Sequence, residues 1–213
     1  ESTCVKKYSY EFFNNLLASC MEIRQILFKY RSYTPLPLLI VMFIFAHPNP
    51  QSLVVGFFIL LAGEGIRLWG VSIVGSETRT TGSAGGTNLI TTGPFAYVRN
   101  PLYLGNILLY AGFGVMSNAL FPWLTLAAAV NFFIQYYLIV TLEEEYLAKT
   151  FGVLFEDYAS RVRRFLPRLR KYRTTGGTQI KVDLGRGLRS EIRTLQALFL
   201  ISAALLVLWH LQD

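Results

Sequence analysis

The chain has 213 residues, of which 53 % are hydrophobic and only 15 % charged. Soluble domains carry about 25 % charge, so the shortfall excludes an ordinary water-soluble globule and points to a surface that faces lipid. A formal charge of +7 would suggest nucleic acid in a soluble protein; here the basic residues cluster beside apolar runs, so membrane lipids are the expected partner and nucleic acid is not.

Residues 9–29 place Phe12, Phe13, Leu16, Leu17, Cys20, Ile23 and Leu27 on one helical stripe, with Glu22, Arg24 and Lys29 off it. This predicts an N-terminal amphipathic helix, lying either on the membrane surface or on the protein's own cytoplasmic face. Five membrane segments are predicted next, at about 33–46, 52–75, 102–116, 121–142 and 195–211. The first and third are short for a span of ~20 residues. The tight turns His47-Pro48-Asn49-Pro50 and Ser117-Asn118 make antiparallel hairpins of segments one and two, and of three and four.

Charge orients the bundle. Lys6, Lys7, Arg24, Lys29 and Arg31 precede segment one; Arg79 and Arg99 lie between two and three; twelve Lys and Arg residues from Lys149 to Arg193 lie between four and five. The two hairpin turns and the C-terminal tail have none. The positive-inside rule gives a cytoplasmic N-terminus and five crossings. The expected fold is all-α, a polytopic membrane helix bundle. Its parts are an amphipathic helix at 1–32, a core at 33–173, and a linker with a C-terminal transmembrane helix at 174–213. The stretch Thr174-Thr175-Gly176-Gly177-Thr178 reads as a flexible link, and the last helix as a peripheral addition.

Segment two carries Gly56, Gly63 and Gly70 on one face, where small residues let helix backbones approach closely. Glu64 and Arg67 sit near its middle, three apart and so on one face. Charges at that depth are costly unless they pair or line a wet cavity. They form either a polar wall of an active site or a self-neutralising pair that orients helices.

Loop 76–100 is glycine-rich and ends in Gly93-Pro94-Phe95-Ala96-Tyr97-Val98-Arg99-Asn100-Pro101-Leu102-Tyr103-Leu104-Gly105. Pro101 suits the first helical position, and Asn100 a cap. The free N–H groups of a helix start attract an anion, and Arg99 adds a fixed, charged fork. Alternatively, this is ordinary capping with Arg99 facing lipid headgroups. Glu143-Glu144-Glu145 follow segment four; Glu143 shares a stripe with Leu147 and Phe151, so at least one carboxylate faces the protein. Phosphate-loop and dinucleotide fingerprints are absent. Cys4 and Cys20 lack metal or disulfide spacing, and no metal site is expected.

Together these clusters resemble the isoprenylcysteine carboxyl methyltransferases. That family carries Gly-Pro-aromatic-x-Tyr-x-Arg-His-Pro-x-Tyr-x-Gly, then Glu-Glu-x-x-Leu, then Phe-Gly and spaced aromatics. The matching residues here are Gly93 to Gly105, then Glu143, Glu144, Leu147, Phe151, Gly152, Tyr158 and Val162, ending in Arg164-Phe165-Leu166-Pro167, over about residues 86–167. Asn100 stands where the carboxyl methyltransferases have His; the related phosphatidylethanolamine N-methyltransferases have Asn-Pro-x-Tyr there. The resemblance implies a multi-pass membrane enzyme that transfers a methyl group from S-adenosyl-L-methionine to a lipophilic or lipidated acceptor. It places a cofactor site at 86–167, facing the cytoplasm and covered by the chain after segment four. By matching position, Tyr97, Arg99, Asn100, Tyr103, Leu104, Gly105, Glu143 and Glu144 would bind the cofactor. Arg99 and Glu144 would act at the reacting centre, with Arg67 steering an acidic acceptor head. The motif Arg-x-Pro-x-Tyr-x-Gly also resembles NADPH-dependent membrane steroid-type reductases, which the Glu143-Glu144-Glu145 and Phe151-Gly152 pattern fits less well. A non-catalytic membrane scaffold is the third alternative.

Overall fold

The computed structural model describes residues 21–74, 88–173 and 182–212. Residues 21–30 form α1. The other helices are α2 (Pro35–Ile44), α3 (Pro50–Val74), α4 (Pro101–Ser117), α5 (Trp123–Phe151), α6 (Val153–Arg161) and α7 (Leu184–Gln212), with a 3-10 turn at Gly93–Ala96. There is no strand among the described residues. The predicted stretch 9–20, both cysteines, the glycines at 82, 85 and 86, and the link at 174–178 lie outside them.

Proline sets several boundaries. Pro35 opens α2, with Thr34 before it, because a ring nitrogen cannot continue a helix but suits its first turn. Pro50 opens α3, where Asn49 and Ser52 cap each other: Ser52 N donates to Asn49 Oδ1 at 2.9 Å and Asn49 N to Ser52 Oγ at 3.0 Å. That reciprocal pair satisfies donors the helix start leaves free. Pro101 opens α4, and Asn118, in the left-handed region at φ 50°, closes it.

Three helices, α3, α5 and α7, are long and apolar enough to cross a membrane. Five crossings were expected. Helix α2 has 10 residues and α4 has 17, about 15 and 26 Å at 1.5 Å per residue. The prolines and the Asn118 cap fix those lengths. Helix α1 adds reach to α2: Arg24 bonds Thr141 and Glu145, Gln135 donates to Thr34 at 2.9 Å, and His47 N donates to Ser117 O at 2.9 Å. Residues 24–47 thus run antiparallel to α5, from its C-terminal end to the turn before it. Of the described part of the predicted amphipathic helix, Leu27 and Phe28 pack against the protein, while Ile23 and Ile26 are exposed.

Helices α3 and α4 form the tightest pair. A Cβ at Gly63 would stand 2.8 Å from the Gly105 carbonyl, and one at Gly112 2.8 Å from the Leu60 nitrogen. Only glycine permits such approach. Helix α7, expected to be peripheral, is built into the core: Leu198 and Leu205 are buried with Leu53, Leu60, Leu109 and Phe113. Gln212 donates to the Ala46 carbonyl at 3.1 Å. Val54, Val55 and Phe58 of α3, Leu126, Val130 and Ile134 of α5, and Phe199, Leu200 and Leu206 of α7 are exposed. So much uncovered apolar surface on spanning-length helices belongs to an integral membrane protein.

Candidate active site

At the end of the bundle where α4 starts and α5 ends, three irregular pieces close over the helices. Residues 93–100 lie beneath residues 162–172, stitched by backbone bonds from Arg99 N to Arg163 O at 2.9 Å, Arg168 N to Tyr97 O at 2.9 Å, and Tyr172 N to Ala96 O at 2.9 Å. Helix α6 adds Tyr158, whose hydroxyl donates to the Phe95 carbonyl at 2.7 Å. Phe155, Tyr158, Val162, Tyr172 and Ala96 form a small separate core under this cap.

Below the cap lies a cavity of about 740 Å³, within the ~300–1,000 Å³ of ligand sites. Arg99, Asn100, Tyr103, Glu143, Glu144 and Arg67 all line it. The sequence spreads these six from position 67 to 144; the fold brings them to one wall set. Glu144 sits between two cations: Arg99 Nη1 is 3.2 Å from Oε1, and Arg164 reaches Oε2 through Nε at 2.9 Å and Nη2 at 2.8 Å. Arg164 also donates to Tyr137 at 3.0 Å. Burial holds Arg99 below its ordinary range, opposed by Glu144, whereas the hydrogen bond to Glu144 raises Arg164. Burial also raises the Tyr158 phenol. Tyr103 donates to Glu143 Oε1 at 2.7 Å and stacks on Tyr136 at 4.8 Å.

Other expected site residues lie elsewhere. Tyr97 and Leu104 face a smaller apolar cleft of about 250 Å³ on the opposite flank, with Trp69 and Pro167. Gly105 packs against α3: a Cβ there would meet Arg67 Cγ at 2.5 Å and the Gly63 carbonyl at 2.7 Å. Its role is to let the Arg67 side chain cross. Asn100 occupies the cap position of α4, yet its side chain makes no cap bond and donates to the Arg164 carbonyl at 3.3 Å.

A second polar layer lies deeper in the cavity. Arg67 bonds Asn106 through Nη1 and Glu191 Oε2 through Nη2 at 2.7 Å, while its Nε faces Glu64 Oε2 at 3.4 Å. Asn106 continues to Tyr136, and Tyr136 to Tyr110. The guanidinium expected to steer an acidic head is thus already occupied by this chain's own oxygens. Arg164, Asn106, Tyr136 and Glu191 had not been singled out. Asn106 carries a usable signal, since it is a polar residue flanked by apolar helix; Glu191, among Arg189, Ser190 and Arg193, carries none, and Arg164 stands in the matched motif but is hidden among arginines.

An all-helical integral membrane protein with a capped polar cavity at one end of its bundle is the class that fold and site define. Residues 51–153 are matched by the phospholipid methyltransferase family, in the membrane methyltransferase group that includes the isoprenylcysteine carboxyl methyltransferases. Among curated proteins, the chain is similar to the cobalt-zinc-cadmium resistance protein CzcN of Cupriavidus metallidurans, 33 % identical over 126 residues, which is 59 % of this chain and 53 % of that protein. It is also similar to the nickel-cobalt-cadmium resistance protein NccN of Alcaligenes xylosoxydans xylosoxydans, 38 % identical over 90 residues, 41 % of this chain and 40 % of that protein. The chain spans about half the length of the curated relatives it matches. No solved structure matches it. Among the described residues, no group of three or more His, Cys, Asp or Glu side chains could hold a metal ion.

Proposed function

We propose that this protein is an S-adenosyl-L-methionine-dependent methyltransferase of the membrane, acting on a lipophilic acceptor. The single observation that carries the reading is the convergence of Arg99, Asn100, Glu143 and Glu144 on one cavity whose wall also holds the apolar side chains of Leu36 and Leu39 of α2 and Leu198 and Ile201 of α7. A polar cofactor suits the capped end, and a hydrocarbon chain suits the other.

The residues present fit the cofactor. Arg99 Nε is buried without a hydrogen-bond partner, and Glu144 Oε1, 3.2 Å from Arg99 Nη1, accepts no hydrogen bond within the chain; a ligand can complete buried polar atoms of this kind. Arg99 is suited to the methionine carboxylate, Glu143 and Glu144 to the ammonium or ribose hydroxyls, and the faces of Phe95, Phe155 and Tyr158 to the adenine. When bound, S-adenosyl-L-methionine supplies a methyl group on a positively charged sulfur. The protein's task is to align the acceptor's lone pair with that methyl carbon and to keep water out, which are positional and solvation effects. An amine or thiol acceptor also sheds a proton; a carboxylate does not.

Two acceptor classes fit the resemblance: the carboxylate of a prenylated cysteine and the amine of a phospholipid. The family match over 51–153 and Asn100 in place of His favour the second. The test is transfer of tritiated methyl from S-adenosyl-L-methionine into organic-extractable product, using purified protein with either dioleoylphosphatidylethanolamine or N-acetyl-S-farnesylcysteine. Incorporation dependent on one acceptor supports the reading. Folded protein that gives none with either, and does not bind the cofactor, refutes it.

A further inference from the structure

Helix α7 lies outside the family-matched segment, yet it supplies Glu191, Thr194, Ala197, Leu198 and Ile201 to the cavity wall. Glu191 is 1 % exposed and is the acid that closes on Arg67. Within the matched segment, Arg67 has one carboxylate beside it, Glu64, on its own helix. Glu191 brings a second, so two acids flank one guanidinium. Asn106 on Nη1 and Glu191 on Nη2 hold that fork, while Nε, which makes no hydrogen bond, stands 3.4 Å from Glu64 Oε2.

This changes what the deep layer can accept. A carboxylate head entering there finds Arg67 occupied and an additional buried anion beside it. Like charges at low dielectric repel strongly. An ammonium or neutral head meets no such repulsion. Three other cations line the cavity: Arg99, held against Glu144 at the cap, Arg31, which donates to the Phe28 carbonyl at 2.8 Å and stacks on the Phe28 ring at 4.2 Å, and Arg193, which is exposed.

We propose that Glu191 determines acceptor specificity: by occupying Arg67 it closes the deep layer to anionic heads and selects an acceptor whose head is an amine. This rests on the reading of the cavity as the acceptor site of a methyltransferase. Glu191 acts through Arg67, so it is a positioning residue, and the consequence of removing it is specific. Glu191→Gln deletes one anion and leaves Arg67 Nη2 only a neutral amide oxygen, which an entering carboxylate can displace.

The experiment uses two probes with one tail and opposite heads, S-farnesylcysteamine and S-farnesylthioacetate. Their binding to the full chain in detergent, with S-adenosylhomocysteine present, is measured by native mass spectrometry. The wild type is expected to hold the amine at least about tenfold tighter than the carboxylate. Glu191→Gln is expected to abolish or invert that preference, and Glu191→Asp to keep it. The melting temperature of each variant without ligand identifies any that fail to fold; should Glu191→Gln be one, Glu191→Ala, which removes the carboxylate outright and carries the same expectation, takes its place, set against Arg67→Leu, in which preference for the amine should persist. Equal binding of both probes by the wild type, binding of neither, or an unchanged preference in folded Glu191→Gln would overturn the proposal. The S-adenosylhomocysteine shift, recorded separately, shows whether the methyltransferase reading has failed instead.

Discussion

Glu143, Glu144 and Glu145 are adjacent in sequence and have three different environments. Glu143 accepts from Tyr103, Glu144 is held between Arg99 and Arg164, and Glu145 pairs with Arg24 outside the cavity. Hydrogen bonds to charged groups are worth about 1.5–3 kcal/mol, whereas exposed pairs contribute about 0–1 kcal/mol. Glu144→Gln should therefore lower kcat/KM at least tenfold, and Glu145→Gln by less than about threefold. Steady-state kinetics on folded protein check this, and equal losses would remove Glu144 from the site. Arg164→Ala should weaken S-adenosylhomocysteine about tenfold or more, since Glu144 then keeps only Arg99; calorimetric titration reads that value. The sequence made the first assignment possible because Glu143 and Glu144 precede a fixed pattern of Leu147, Phe151 and Gly152. It could not single out Arg164, because nothing in a run of arginines marks the one that turns inward.

At the scale of helices, the glycines of α3 and α4 act as mutual sockets. Gly63→Leu would push against the Gly105 carbonyl and the Leu108 side chain. Overpacking costs about 1–3 kcal/mol, so the melting temperature should fall by several degrees, with no new chemistry at the cavity. A melting temperature unchanged by Gly63→Leu would contradict the packing described here. The Gly56, Gly63 and Gly70 stripe was legible at this scale, as were most of the helices. Lengths were not. The predicted segment four ends at the first charges, yet α5 continues to Phe151, because a helix needs only its backbone bonds and can carry Glu143–Glu145 past the apolar region. The last helix was begun at 195 but starts at Leu184 for the same reason. Its place in the cavity wall was not legible at all, since that depends on Glu191 meeting Arg67 across 124 residues of chain.

At the scale of the molecule, positive-inside charge predicts that the cap and its arginines face the cytoplasm. Leu120, in the turn between α4 and α5, is 54 % exposed, and Leu169, in the cap, is 100 % exposed. With the native cysteines replaced, Leu120→Cys should react with an impermeant maleimide in intact cells, and Leu169→Cys only after permeabilisation. The reverse pattern would invert the topology. The central claim, that the capped cavity holds S-adenosyl-L-methionine, has a more direct test. Any ligand of the native state raises its stability by mass action, by about 2.7 kcal/mol at one hundred times Kd. Purified protein should melt several degrees higher with saturating S-adenosylhomocysteine and show no shift with NADPH, and Arg99→Leu should lose the S-adenosylhomocysteine shift. A shift with NADPH and none with S-adenosylhomocysteine would contradict the account and make the cavity a reductase site.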